Sequence, residues 1–478
     1  MTSNIVKFIY KNKIVEIKNP DTNETILNYV RTKLKKTGTK EGCAEGGCGA
    51  CTVVIGELEK NNIKYKAINS CISFLPNLES KQLILVEDLI DKGELHPVQK
   101  AMVNFHGSQC GFCTPGFVMS LFAMYKNYSS FKEEVIRDSI QGNLCRCTGY
   151  RPIVAAAKSL NKNNKRDSFS RDKKITLNLL KKIKSRSITI INNNKKYFAP
   201  KSINELSKIL RTEPNSKLIS GGTDLSLIVT KERKDLNSLV YLNSIDELNY
   251  IKENNKYIEV GASTPLIKFE SIIKKYFPDF SQILKRYGSV QIRNVCTIAG
   301  NIATASPIGD TLPLLLALDA KIIVKGKNKI QVLPLDGFFI NYRKTKLRKG
   351  QFIHSIRIPF LKKNIFKAYK ISKRIDDDIS SVCASFNIEV NKNKIKKIRI
   401  AFGGMSNIPK RAFNCEKVFV NSYLSDKTIN KAKKILEKDF KPITDARATQ
   451  KYRMEVAKNL LEKCFLEVKQ RKNIRINV

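Results

Sequence analysis

Eight of the twelve cysteines lie before residue 150, in two sets of four, and no other feature limits the fold so tightly. Four thiols that hold metal must converge, so each set demands a loop that closes on itself inside a small domain. The first set, Cys43, Cys48, Cys51 and Cys71, has the spacing C-x4-C-x2-C followed by a distant fourth cysteine. That is the spacing of plant-type 2Fe-2S sites, in which four thiolates hold two irons. Zinc knuckles favour two C-x2-C pairs separated by a longer span, which residues 43–71 do not show. Glycines at 42, 46, 47 and 49 are expected to let the loop take left-handed torsions and aim N–H groups at the sulfurs.

The second set pairs Cys110 and Cys113 with Cys145 and Cys147. Alone, the C-x2-C could be a redox dithiol or half a zinc site, and Thr114 stands where a c-type haem motif needs histidine. The C-x-C pair requires a tight turn between helices, for which Gly142, Asn143 and Gly149 are available. Four cysteines at helix ends would make a second four-thiolate site. Cys296, Cys383, Cys415 and Cys464 are scattered singly. The N-terminus has lysines at 7, 11 and 13 and no apolar run, so no secretory signal is expected. Its longest mostly apolar stretch, 116–125, is far short of the ~20 residues of a spanning helix. A cytoplasmic, non-membrane protein is the expectation, and there thiols stay reduced and serve as ligands.

Hydrophobic periodicity divides the chain. Strands at 5–10 and 13–17 joined by the turn Lys11-Asn12, a helix at 25–34 and a strand at 52–55 fit a small open barrel or a grasp-like sheet. Residues 97–105, 115–125, 132–141 and 152–160 predict four short helices, three with proline near the start. Segment 161–186 holds ten basic and two acidic residues and reads as a flexible linker. A mixed region follows, with a strand at 187–192, a helix at 203–210 and a strand at 217–220 entering a glycine turn. Beyond 361 come strands at 388–390 and 398–402 and helices at 426–440 and 448–469.

The net charge is +44, from 87 Lys and Arg against 43 Asp and Glu. Residues 1–160 carry +6, 161–186 carry +8 and 187–478 carry +30, so the excess is spread and includes solvated turns such as 325–329. No zinc finger, RNP-like strand or basic zipper accompanies it, so no nucleic-acid partner is expected, and an acidic protein surface suits the charge better.

Residues 109–116, Q-C-G-F-C-T-P-G, together with 141–152, Q-G-N-L-C-R-C-T-G-Y-R-P, resemble the helical 2Fe-2S domain of the molybdenum hydroxylases. The resemblance implies that Gln109 and Cys147 approach a molybdopterin held by a partner, with the plant-type cluster nearer a flavin. Two later segments bear on that flavin. Residues 217–225, K-L-I-S-G-G-T-D-L, form a strand, a double-glycine turn and an acid, where backbone N–H groups can approach a pyrophosphate. There is no G-x-G-x-x-G, so a Rossmann domain is not supported. Residues 297–310, T-I-A-G-N-I-A-T-A-S-P-I-G-D, offer hydroxyls, an amide and an acid amid small residues.

Together these loops resemble the flavin domain of xanthine dehydrogenases and of carbon monoxide dehydrogenase medium subunits. That resemblance implies FAD contacts from Leu218, Ile219, Ser220, Gly221, Gly222, Thr223, Asp224 and Leu225, and from Thr297, Ile298, Ala299, Gly300 and Asn301. It adds Tyr287, Asp310, Ile353 and Lys370, and a flavin-side loop at 370–380 containing Arg374 and Asp377. The expected fold is multidomain α+β: a β-grasp ferredoxin-like domain at 1–90, a four-helix 2Fe-2S bundle at 91–160 and the linker. An α/β flavin-binding domain at 187–360 and an α+β C-terminal domain at 361–478 complete it.

This order resembles the iron–sulfur and flavin subunits of xanthine dehydrogenases over about residues 4–475. It implies two 2Fe-2S clusters and FAD here, NAD+ as acceptor, and hypoxanthine or xanthine oxidised on a molybdopterin-binding large subunit within a heterotetramer or larger assembly. No side chain is expected to act catalytically on that substrate, and His96, His106 and His354 are read as structural. The rival readings are a subunit of an aldehyde- or N-heterocycle-oxidising molybdenum hydroxylase, a freestanding NADH diaphorase, and a basic binding protein with structural clusters.

Overall fold

Strands Ile5–Tyr10 and Lys13–Lys18 pair antiparallel with Tyr10 opposite Lys13. Lys11 and Asn12 between them both take left-handed torsions, φ 47° and 56°, the two-residue turn whose twist matches a hairpin. Alternation along the first strand buries Val6 and Phe8. Thr25 caps helix Ile26–Thr32 by accepting from the Asn28 N–H. Strands Thr52–Glu59, Asn62–Asn69 and Gln82–Ile84 complete a five-stranded sheet. Its order is 13–18, 5–10, 82–84, 52–59, 62–69, with 82–84 parallel to the first strand. This is an open grasp-like sheet; the barrel that the same strands allowed does not form.

The computed structural model describes residues 3–160, 167–183, 186–326, 329–361 and 364–470. They gather into two compact units, one running to Asp246 and including Gly288–Cys296, the other Glu247–Tyr287 with the chain from Thr297 onward. In the first unit the four expected helices form as Pro97–Asn104, Thr114–Asn127, Glu133–Ile140 and Arg151–Ser159. Helix Thr114–Asn127 is buried on every side from Gly116 to Tyr125, which makes it the centre of this bundle.

The flexible-linker reading of 161–186 is corrected where residues are described. Helices Ser168–Arg171 and Lys173–Lys182 form there; Phe169 packs against Phe122 of the bundle, and Leu177, Leu180 and Ile183 join the core that the bundle shares with the five-stranded sheet. Asp167 anchors them: its carboxylate accepts from Lys126 at 2.8 and 2.9 Å and from the Ser170 N–H at 2.7 Å. Residues 161–166 and 184–185 of that segment lie outside the described residues, as do 327 and 328 of the turn at 325–329. A four-stranded sheet of order Ile188–Asn192, Lys195–Ala199, Ser238–Tyr241, Lys217–Ile219 completes the unit, its last strand parallel to its neighbour.

The second unit holds a five-stranded sheet of order Ile251–Glu253, Tyr257–Gly261, Gln351–Pro359, Lys321–Gly326, Lys329–Pro334. A four-stranded antiparallel sheet follows, from Ile365–Ile371, Val382–Asn391, Lys394–Gly403 and Lys410–Arg411. Helices Asp426–Asp439 and Gln450–Gln470 share its core. Its two middle strands run longer than the expected 388–390 and 398–402. Val382 to Ile388 is buried without a break, and a strand covered on both faces has no alternation to betray it. Among the described residues no helix is long and apolar enough to cross a membrane.

Candidate metal centres and flavin loops

Strand register builds half of the first cysteine site. Thr52 pairs with Asn69, so Cys51 at the start of one strand and Cys71 just past the end of its partner meet, with Sγ atoms 3.3 Å apart. Both are buried, while Cys43 and Cys48 on the preceding loop are half-buried. Cys43 Sγ accepts from the N–H groups of Glu45 at 3.4 Å and Gly47 at 3.3 Å. Asn69 holds the loop by donating to the Gly46 carbonyl at 2.8 Å.

Left-handed torsions fall on Ala44, Gly46 and Gly49, not on Gly42 or Gly47. Gly42 is small for another reason: a Cβ there would lie 2.9 Å from Cys48 Sγ. Hydrogen bonds from Cys48 and Cys71 hold Cys43 below the ordinary thiol range, and one from Cys71 does the same for Cys51. The same bonds, with burial, push Cys48 and Cys71 up. Four touching sulfurs cannot all ionise without a cation among them. Four thiols with N–H groups aimed at sulfur fit a 2Fe-2S cluster.

The second set also forms two pairs. Cys110 and Cys147 are exposed and interact with each other, and half-buried Cys113 and Cys145 do likewise. Cys113 caps helix Thr114–Asn127, and burial beside Cys145 pushes its thiol up to about 12. Burial opposes charge on Cys145 as well, but the Thr148 hydroxyl at 3.2 Å and N–H at 3.4 Å pull it down. The Cys145 N–H donates to Tyr150 Oη at 2.9 Å, and Gly149 supplies a left-handed turn at φ 64°. Gln109 is exposed beside Cys110. Among the described residues no group of three or more His, Cys, Asp or Glu is arranged for a single metal ion. A two-iron cluster instead needs thiolates in pairs, and both sets supply them.

The two sites meet back to back. A Cβ on Gly49 would lie 2.2 Å from the Gly142 carbonyl oxygen, and one on Gly116 2.2 Å from the Gly49 carbonyl oxygen. Only glycines allow that approach, which the sequence reading missed by assigning Gly49 to the cluster loop and Gly142 to a tight turn. The Leu144 N–H donates to the Cys48 carbonyl at 3.0 Å, so one hydrogen bond connects the residue beside Cys145 to a cysteine of the other set.

Of the proposed flavin residues, Leu218 to Leu225 lie in the first unit, and Tyr287, Thr297 to Asn301, Asp310, Ile353, Lys370, Arg374 and Asp377 in the second. Gly222 has φ 70°, and a Cβ on it would meet the Ile72 carbonyl at 3.1 Å, one residue from Cys71. Gly221 is bound by a different contact: its Cβ would lie 2.4 Å from the Val295 carbonyl oxygen. Beside the turn, Ser226 Oγ is buried without a partner among the described residues, a hydroxyl that a polar ligand could satisfy. Ile219 and Leu225 turn their side chains to the apolar core, leaving their backbone for any ligand.

In the second unit Thr297 caps helix Ile298–Thr304 by accepting from Gly300 N–H at 3.0 Å, and Asn301 accepts from Thr311 at 2.6 Å. Buried Asp310 joins Lys370 at 2.7 Å and Ser380 at 2.6 Å, and Lys370 also donates to the Arg286 carbonyl, next to Tyr287, at 2.9 Å. Ile353 is buried in the sheet opposite Val324. The 370–380 loop is exposed at Arg374, whose guanidinium donates to the Asp377 carbonyl at 3.0 Å. Sequence reading missed Arg286, which fastens this loop through Lys370 O, Ser372 Oγ and Ile375 O, and Gln291 with Arg293 and Asn294, which are buried in the first unit.

Two paired-thiol sites, with a glycine turn beside the plant-type set, define an iron–sulfur protein. Four family models match in sequence: a 2Fe-2S iron–sulfur cluster binding domain over residues 9–75 and a [2Fe-2S] binding domain over 85–158. The FAD binding domain in molybdopterin dehydrogenase matches 191–361, and the CO dehydrogenase flavoprotein C-terminal domain 367–468. The chain belongs to the molybdenum hydroxylase family and carries its two 2Fe-2S domains and its FAD-binding domain. It is 32% identical to xanthine dehydrogenase of Emericella nidulans, over 91% of this chain and 36% of that protein. It is 31% identical to xanthine dehydrogenase/oxidase of Rattus norvegicus, over 84% of this chain and 34% of that one. The chain thus spans about a third of the length of these relatives.

Among solved structures, a chain of carbon monoxide dehydrogenase from Hydrogenophaga pseudoflava superposes with TM-score 0.54 at 24% identity, covering 57% of this chain and 96% of that one. Quinoline 2-oxidoreductase from Pseudomonas putida 86 gives TM-score 0.54 at 20% identity, covering 58% and 98%. Each shares the fold of the part of this chain that it covers.

Proposed function

We propose that this chain conducts electrons between a molybdopterin that oxidises hypoxanthine or xanthine and NAD+. The observation that carries the reading is the order of contacts within the first unit. The helical cysteine set reaches the plant-type set through the hydrogen bond from Leu144 to Cys48, and the plant-type set reaches the glycine turn through Ile72 against Gly222. Three redox sites in a line are what a relay requires. Cys43, Cys48, Cys51 and Cys71 hold one cluster and Cys110, Cys113, Cys145 and Cys147 the other. FAD is assigned to 218–225, Tyr287, 297–301, Asp310, Ile353 and Lys370. When bound, the clusters supply one-electron carriage and the flavin its conversion to hydride transfer.

Relatives named xanthine dehydrogenase or xanthine dehydrogenase/oxidase at 31–33% identity support xanthine as the substrate; NAD+ as acceptor is part of the proposal. The family models match domains within residues 9–468; the reading adds a molybdopterin-binding large subunit, a heterotetramer or larger assembly, and a cytoplasmic setting. Exposed Cys147 and Gln109 face that partner. The test is reconstitution. The purified chain with iron, sulfide and FAD should oxidise NADH with artificial acceptors and leave xanthine untouched, and adding the molybdopterin subunit should couple xanthine oxidation to NAD+ reduction. Xanthine oxidation by this chain alone would refute the division of labour. Coupling to an aldehyde or N-heterocycle in place of purines would move the substrate but leave the relay.

A further inference from the structure

Gln291 belongs to neither cysteine segment in sequence, yet its side chain is fully buried between them. It sits on the short helix Val290–Arg293, which packs in the first unit together with both sets. Its amide nitrogen lies 3.3 Å from Thr52 Oγ1, 3.1 Å from Ser120 Oγ and 3.2 Å from Asn143 Oδ1. These come from three elements: the strand that starts after Cys51, the helix that starts after Cys113, and the loop that leads to Cys145. The two hydroxyls already donate elsewhere, Thr52 to the Gly49 carbonyl and Ser120 to Asn143 Oδ1, so they can only accept from Gln291. That requirement fixes which way the amide points.

Its oxygen is buried with no partner among the described residues, facing Gly142, where a Cβ would lie 2.5 Å away. An apolar side chain would fill the space without stranding an acceptor, so the glutamine is not the choice that packing alone would make. What it adds is registry. Asn143 immediately precedes Leu144, whose N–H donates to the Cys48 carbonyl, and Thr52 anchors the Gly49 carbonyl on the other side of the same joint.

We propose that Gln291 is a positioning residue for electron transfer between the two clusters, an inference that rests on the relay reading above. It holds both ends of the Cys48–Leu144 hydrogen bond in place without touching either cluster's cysteines.

The test uses the full chain, reconstituted with iron, sulfide and FAD, carrying Gln291→Met. Methionine keeps the length and removes the amide donor, while Thr52, Ser120 and Asn143 each retain another partner. Iron, FAD and NADH oxidation at the flavin should match the unaltered chain. Reduction of the helical cluster by NADH, followed by freeze-quench paramagnetic resonance, should slow roughly tenfold. The magnetic interaction between the two fully reduced clusters, which falls with the cube of their separation, should weaken. Wild-type coupling and rate in an iron-replete Gln291→Met chain would overturn the proposal. Should that variant lose iron, Gln291→Glu, which preserves the shape, decides by the same readouts; loss of iron there too overturns it, because Gln291 would then be a folding residue. A wild-type chain whose clusters take no electrons from NADH would instead bring down the relay reading itself.

Discussion

The plant-type and helical cysteine sets have the same number of ligands and opposite surroundings. Cys51 and Cys71 are buried and placed by the register of two paired strands, whereas Cys110 and Cys147 are exposed on loops at helix ends. The apolar side chains around the second set are exposed too, Phe112 at 47%, Leu144 at 39% and Tyr150 at 36%. Each set has two half-buried cysteines; the other two are buried in the first set and exposed in the second. A cluster inside a relay needs the first arrangement, and a cluster that must receive electrons from another molecule needs the second. Under the relay proposed above, the difference points inward at Cys43–Cys71 and outward at Cys110–Cys147.

The most disruptive way to test this contrast is to attack what the two sites share. Gly49→Val would drive a branched side chain into the Gly142 carbonyl from a left-handed torsion, so both sites should fail together. Iron should fall from about four per chain to near none. Survival of either paramagnetic signal would show that the joint is looser than its distances.

Single ligands should then separate the sites. Cys43→Ser should remove about two irons and one signal and leave the other. On the proposed relay, Cys113→Ser should abolish coupling to the molybdopterin subunit while NADH oxidation at the flavin persists, because there hydride would enter before any cluster is needed. Loss of that NADH reaction in a folded, FAD-replete Cys113→Ser chain would put the helical cluster on the wrong side of the flavin. Gly221→Val should lose FAD and keep both clusters, and its clash with the Val295 carbonyl means that the glycine turn itself is displaced. Normal flavin content would remove 218–225 from the FAD assignment.

How far these sites were legible follows from the range of the signals. The hairpin at 5–18, the four helices of the bundle and both cysteine sets are written in contiguous residues, as spacing, turn chemistry or periodicity, and those signals survive folding. Gln291 carries no local mark: a polar residue in a four-residue helix becomes meaningful only when residues 52, 120 and 143 converge on it. The two helices at 168–182 were hidden differently. Ten basic residues dominate the composition of 161–186, while Leu177, Leu180 and Ile183 recur every third residue, the spacing of one helical face. Composition concealed a periodicity that was present.

That segment supplies the smallest effect, a stability difference. Asp167 accepts from Lys126 and Ser170, and His96 Nε2 lies 3.2 Å away. The Val98 N–H donates to His96 Nδ1, which leaves Nε2 as the ring's donor to the carboxylate. Burial opposes the charge, but His96 and Lys126 outweigh it and hold the Asp167 carboxyl well below the usual carboxylate range. A depressed carboxylate stabilises the fold above its unfolded value, about 3.9, and loses that contribution as pH falls through the lower folded value. Asp167→Asn leaves Lys126 buried without its counter-charge, so it should cost roughly 3 kcal/mol at neutral pH. In denaturant titrations the gap between wild type and variant should stay constant from about pH 8 to 5 and narrow only below about pH 4. A gap that failed to narrow below about pH 4 would remove the Asp167 carboxylate from the linkage.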